Sequence, residues 1–98
     1  MKLGTFQKTP VERKRYTLDY TDWLDTGETV TSFFFTVTPS TGATPLIIDA
    51  SSITGSGLMV TFFANYGANG VTYVVDVLIS TSGGQTKEDQ INFIVKAL

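Results

Sequence analysis

The chain contains no cysteine and no histidine among its 98 residues. Without cysteine there is no disulfide, no thiolate nucleophile and no thiolate metal site, and the redox compartment is left open. Without histidine the commonest general base, the commonest metal ligand and the side chain that titrates near neutral pH are all missing. A Ser-His-Asp arrangement is therefore excluded, and no Ser-x-x-Lys motif stands in for it. No Gly-rich loop opens a helix, so a phosphate cradle is not expected. No apolar run approaches the ~20 residues that span a bilayer. The opening MKLGTFQKTPVERKR also lacks the apolar stretch of a secretory leader, so a product made in the cytoplasm is expected, with no membrane partner. These absences leave no cofactor, metal or small-molecule substrate to expect, and an enzyme is disfavoured.

What remains is apolar enough to fold. Hydrophobic residues make up 42% and aromatics 12%, above the range of disordered chains, and the length fits one domain. The net charge of −2 conceals an asymmetry. Lys2, Lys8, Arg13, Lys14 and Arg15 crowd the start, opposed there only by Glu12, whereas the remainder carries Lys87 and Lys96 against eight carboxylates. A basic leading segment before an acidic body suggests contact with a partner. Nucleic acid is not expected to be that partner, because the body repels phosphate.

The most informative stretch is 66–82, YGANGVTYVVDVLISTS. Val71, Tyr73, Val75, Val77 and Ile79 fall on one side and Thr72, Asp76 and Ser80 on the other, the period of a strand with one face in a core. Asn69-Gly70 before it and Ser82-Gly83-Gly84 after it are turn signals. The same alternation recurs at Arg13–Tyr20, Val30–Thr38, Leu46–Ile48, Leu58–Ala64 and Thr86–Leu98, where Ile91, Phe93, Val95 and Ala97 are expected inside. Ser51–Thr54 continues or crosses from the Leu46 strand. A bulge between Val30 and Phe33 would put Val30 inside with Phe33, Phe35 and Val37. No window keeps helical periodicity for three turns. The expectation is an all-β, antiparallel β-sandwich of about seven strands over residues 13–98, preceded by an extended N-terminal arm over residues 1–12.

Several residues have two readings. Residues 1–12 are either a loosely ordered tail or an arm lying on a neighbouring subunit, with Leu3 and Phe6 as anchors. Trp23 and Leu24 are expected beneath the sheets rather than as a ligand platform. Asp22, Asp25 and Glu28 read as a solvated acidic loop, lacking the ligand spacing of a calcium loop. Tyr73 is similar to the corner tyrosine of immunoglobulin-like domains, its ring filling the sandwich end and its hydroxyl tying down a loop. Phe34, Met59, Phe63, Val74, Leu78 and Ile94 fall on outer faces. If Val74 and Leu78 flank Ile94 they make an apolar stripe, serving as an interface or covered by the arm or a loop.

One resemblance spans nearly the whole chain. It is carried by Pro10-Val11-Glu12, the run Tyr16-Thr17-Leu18-Asp19-Tyr20-Thr21-Asp22-Trp23-Leu24, Gly27-x-x-Val30, Phe35-Thr36-Val37, Val60, Gly70-Val71-Thr72-Tyr73-Val74-Val75, Thr81-Ser82-x-Gly84 and Phe93-Ile94-Val95. This pattern resembles small immunoglobulin-like proteins encoded among the virion structural genes of tailed bacteriophages. It departs from them at Tyr66-Gly67, where a Gly-Gly pair is usual, and at Gln85-Thr86-Lys87, where an arginine is usual. Tyr66 is thereby placed on a loop tip as a partner contact.

The resemblance implies a non-enzymatic virion component made in the host cytoplasm. The leading expectation is a capsid decoration or cement subunit, bound to the major capsid protein and to copies of itself. Its contacts would be Leu3, Phe6, Lys8, Arg13, Lys14 and Arg15 on and beside the arm, with Phe34, Tyr66, Val74, Leu78 and Ile94 on the body. Deleting residues 1–12 would then abolish particle binding and leave the body folded. The alternatives are a tail, baseplate or head-tail joining subunit, and a carbohydrate-binding module that stacks sugars on Trp23 or Tyr66.

Overall fold

The computed structural model describes residues 2–39 and 45–98. The turn expected at Pro39–Gly42 falls largely outside them. Seven strands run in the order β1 Lys2–Lys8, β2 Lys14–Asp19, β3 Val30–Thr38, β4 Leu46–Thr54, β5 Met59–Tyr66, β6 Thr72–Thr81 and β7 Thr86–Val95. A 3-10 turn, Gly55–Gly57, links β4 to β5. The strands form two sheets, one ordered β1-β7-β6-β3 and the other β2-β5-β4. This is the expected two-layer sandwich, and the stretch identified as central, β6, is an inner strand of the larger sheet.

Alternation places the core. Tyr73, Val75, Val77 and Ile79 of β6 are buried, as are Ile91, Phe93 and Val95 of β7 and Val60, Phe62 and Ala64 of β5. The aromatic rings join the layers. Phe62 lies 5.6 Å from Tyr16 and 5.0 Å from Phe35, and Phe93 meets Tyr16 edge-on at 5.1 Å. Offset and edge-to-face arrangements of this kind suit the ring quadrupole. Val30 is inside, and the register against β6 shifts between Val30 and Ser32, so the bulge is present. A second register shift, between Asp49 and Ser52, lets β4 run unbroken through Ala50 at φ +48°. Ala97, expected inside, is exposed because β7 ends at Val95.

The leading segment departs from expectation in a way that matters for function. Residues 2–8 are extended, but they form the edge strand β1, paired in parallel with β7 from Lys2↔Gln90 to Lys8↔Val95. It is the one parallel pair among the described strands. Phe6 packs 5.0 Å from Tyr16 and 5.9 Å from Phe93, and so ties β1 to β2 along the open side of the sandwich. Main-chain pairing drives this, since a strand of two apolar residues has little else to dock with.

Candidate functional site

Three surface regions collect the chemistry. The first is the outer face of the β2-β5-β4 sheet. Opposed side chains there come from Arg15 and Phe63, Thr17 and Thr61, and Asp49 and Phe63. Arg13, just before β2, lays its guanidinium 3.9 Å from the Phe63 ring centroid and bonds Asp49 Oδ1 at 3.1 Å. Thr61 shares its hydroxyl with Thr17 at 3.2 Å and Thr54 at 2.9 Å. Lys14 and Arg15 stay exposed. The basic cluster seen in the sequence is thus carried on the body, beside β2, and only Lys2 and Lys8 belong to β1.

The second region is the outer face of the β1-β7-β6-β3 sheet. Phe34 is 66% exposed and directly opposes Leu78; Val74 lies diagonally across from Ile94, which opposes Thr72. The expected stripe is divided. Thr36, Asp76 and Gln90 cross the same face between the two apolar pairs, and Gln90 Nε2 donates to Asp76 Oδ1 at 3.2 Å. Period two alone cannot show this, because it assigns a face without saying which residues of neighbouring strands share a row.

The third is a cleft of about 340 Å³ at the open side between the sheets. Leu3, Phe6, Leu18 and Ile91 give it apolar walls, and Trp23, Lys87, Asp89 and Tyr20 a polar end. Asp89 is fully buried and accepts from Lys87 Nζ at 2.6 Å, while the same ammonium lies 5.8 Å from the Trp23 ring. Burial, and then the Asp89 charge, pushes the Tyr20 hydroxyl far above its usual value, so it stays protonated. Trp23 is therefore half-buried at a cleft rim, and only Leu24 is sealed beneath the sheets. The cleft was not apparent in the sequence because β1, β2 and the turn after β2 line it together with β7, which is far from them in the chain.

Other expected residues behave differently. Lys8 is only 2% exposed; its ammonium donates to the carbonyls of Thr9 (2.7 Å) and Tyr66. Burial holds its pKa below the ordinary lysine value, with Glu12 opposing. From this buried position Lys8 braces the end of β5, where Tyr66 stands 52% exposed at φ +62°. Leu3 and Phe6 look toward the cleft and core. Glu28, expected in solvent, is buried. It accepts from the Thr81 hydroxyl and from Gln85 Nε2 at 2.9 and 3.1 Å, which hold its carboxyl below the usual range. A side chain at Gly83 would come within 2.4 Å of Glu28 Oε2, so the carboxylate would have to shift to make room for it. Among the described residues no three Asp or Glu gather as a metal site. Tyr73 does act as a corner tyrosine, its hydroxyl accepting from the Ala68 amide at 2.9 Å.

Comparison with known proteins places this architecture. No curated protein matches the chain. Among solved structures, the PKD domain from the KIAA 1837 protein superposes with a TM-score of 0.51 at 19% identity, over 94% of this chain and 78% of that one. A Photobacterium 2,6-sialyltransferase matches with a TM-score of 0.54 at 11% identity, over 99% of this chain. The chain spans only 18% of that enzyme's length, and both likenesses speak to the immunoglobulin-like fold alone. The family model described as podophage GP4 fiber-tail adaptor protein gp77 matches residues 8–93. With nearly its whole sandwich inside that match, the chain belongs to this family of phage virion structural proteins.

Proposed function

We propose that the protein is a non-enzymatic adaptor of the phage tail, joining a fibre to the tail. The observation that carries this reading is the family match over residues 8–93. It favours the tail alternative over head decoration, and it makes tail and fibre proteins, rather than the major capsid protein, the expected partners.

The geometry suits such a role. An adaptor needs two recognition surfaces that do not compete, and the two sheets turn opposite outer faces to solvent. One carries Arg13, Arg15 and Phe63 and takes acidic or aromatic side chains through charge and cation–π contact. The other carries the Phe34–Leu78 and Val74–Ile94 pairs and takes apolar ones. Tyr66, held out by Lys8 and a left-handed backbone, adds an aromatic contact at one end. The cleft between the sheets keeps Lys87 tied to Asp89, and the chain has no histidine or cysteine to place there.

The test is particle assembly without this protein, followed by cryo-electron microscopy of the products. Tails that form but carry no fibres are the expected result, with the protein found at the tail–fibre junction of complete particles. Fibres retained in its absence, or its density on the head, would refute the assignment.

A further inference from the structure

Each sheet has two edge strands, and an unguarded edge offers main-chain N–H and C=O groups to another chain. Three of the four edges here are guarded. β1 contains Lys2 and Lys8 and is folded against β2 through Phe6. β2 contains Lys14, Arg15 and Asp19. β4 contains Asp49 and a bulge with Ala50 at positive φ. The fourth, β3, reads VTSFFFTVT: nine residues with no charge and no proline, its own bulge confined to the Val30–Ser32 end. It pairs with β6 on one side and, among the described residues, with nothing on the other.

We infer that β3 is a self-pairing edge, which joins two copies of this chain antiparallel across a two-fold axis into one continuous eight-stranded sheet. The middle of the strand is symmetric for this purpose. Val30–Thr38 is centred on Phe34, so full antiparallel overlap sets Phe34 against Phe34 of the second copy. Phe33 then opposes Phe35, and Ser32 opposes Thr36. These central pairs are apolar–apolar or polar–polar, the outer ones set Thr31 against Val37 and Val30 against Thr38, and no like charges meet, as Lys2 and Lys8 would if β1 paired with itself. On the outer face the Phe34–Leu78 pair becomes an apolar row of four residues across the axis. On the inner face the half-buried Phe33, Phe35 and Val37 gain cover. The contact is isologous and closes at two copies, because the other edges of each sandwich remain guarded. This pairing does not depend on where on the particle the protein sits.

Sedimentation of the purified chain at high micromolar concentration tests it. A dimer is expected, which Phe34→Lys weakens at least tenfold while leaving the melting temperature of the separated chain unchanged, the side chain being largely exposed. Should that variant lose its fold, Thr36→Lys on the same exposed face makes the same test. Because the chain has no cysteine, Phe34→Cys supplies a register check. Opposed Cβ atoms on paired strands lie ~4.5–5.5 Å apart, near the ~3.5–4.5 Å of a disulfide. Oxidation should link Phe34→Cys chains into dimers, whereas Thr38→Cys, which would face Val30, should not link. A monomeric wild type overturns the inference. So does a dimer indifferent to both lysine variants, or equal cross-linking at both cysteines. A β3 edge that pairs only with a fibre protein's strand would also overturn it.

Discussion

Replacing Phe6 with alanine separates a strand of the domain from an arm that awaits a neighbour. In the structure Phe6 packs on Tyr16 and Phe93 of its own chain, at 5.0 and 5.9 Å, and is 41% exposed. Full burial of a phenylalanine side chain contributes roughly 1.5–3 kcal/mol, and an aromatic pair adds about 0.5–1.5 kcal/mol beyond area. With about three-fifths of the side chain covered, Phe6→Ala should cost the isolated protein about 1–2 kcal/mol. For a domain of this size that lowers the melting temperature by roughly 4–16 °C. Scanning calorimetry or circular dichroism on the purified chain reads it directly, with Val11→Ala as control, since Val11 is 90% exposed and should leave the transition in place. A Phe6→Ala melt coincident with wild type would mean that β1 is not docked in solution, and the free-arm reading would return. The same geometry alters the expectation for deletion of residues 1–12. It strips the cover from Phe93 and removes the acceptor that Lys8 offers to the Lys96 amide, so the body should lose stability as well as partner contacts.

Other perturbations follow from single contacts. Val75 is fully buried on β6, and removing two methyl groups there forfeits about 1.6 kcal/mol of transfer energy plus a cavity cost. Val75→Ala should therefore destabilise by about 2 kcal/mol in urea titration, and an unchanged midpoint would put that face of β6 in water. Tyr73→Phe removes the acceptor of the Ala68 amide and should cost about 1–2 kcal/mol, with faster hydrogen exchange at Ala68 than elsewhere. The Glu28 carboxyl is depressed in the fold, first by the Thr81 hydroxyl and then by the Asp25 amide. Its contribution is complete above the unfolded value of about 4.3 and is lost as pH falls through the lower folded value. Stability should thus drop as pH falls below about 5, a window taken from that ordinary value. Glu28→Gln should make the chain less stable at neutral pH and flatten this acid slope, which Glu12 and Asp19, also depressed, keep from vanishing. An acid slope unchanged by the substitution would mean that Glu28 is solvated.

Much of the fold was legible because burial in a sandwich imposes a two-residue period. β5, β6 and β7 alternate cleanly, and the bulge before Phe33 is visible as a slip in that alternation. Tyr73 was legible too, since its place beside a turn glycine leaves its hydroxyl one nearby loop to hold. The candidate surfaces were legible only in part. Phe34, Leu78, Val74 and Ile94 could be assigned to an outer face, but the row of Thr36, Asp76 and Gln90 that parts them depends on register between strands far apart in the chain. Glu28 was taken for a solvated loop residue because its acceptors' partners, Thr81 and Gln85, stand more than fifty residues away.

The order of residues by itself determined that this chain would be all-β, would build its core from alternate positions, and would have no histidine or cysteine chemistry. Local sterics and side-chain period are properties of neighbouring residues, so they can be read without coordinates. Only the tertiary structure decided that the leading segment is a strand, that Lys8 supports the end of β5 from inside, and that Trp23, Lys87 and Asp89 share one cleft. It also left β3 as the one edge without a charged guard. Each of those depends on which distant segments come to lie side by side, and main-chain pairing, which joins them, is nearly blind to side-chain identity.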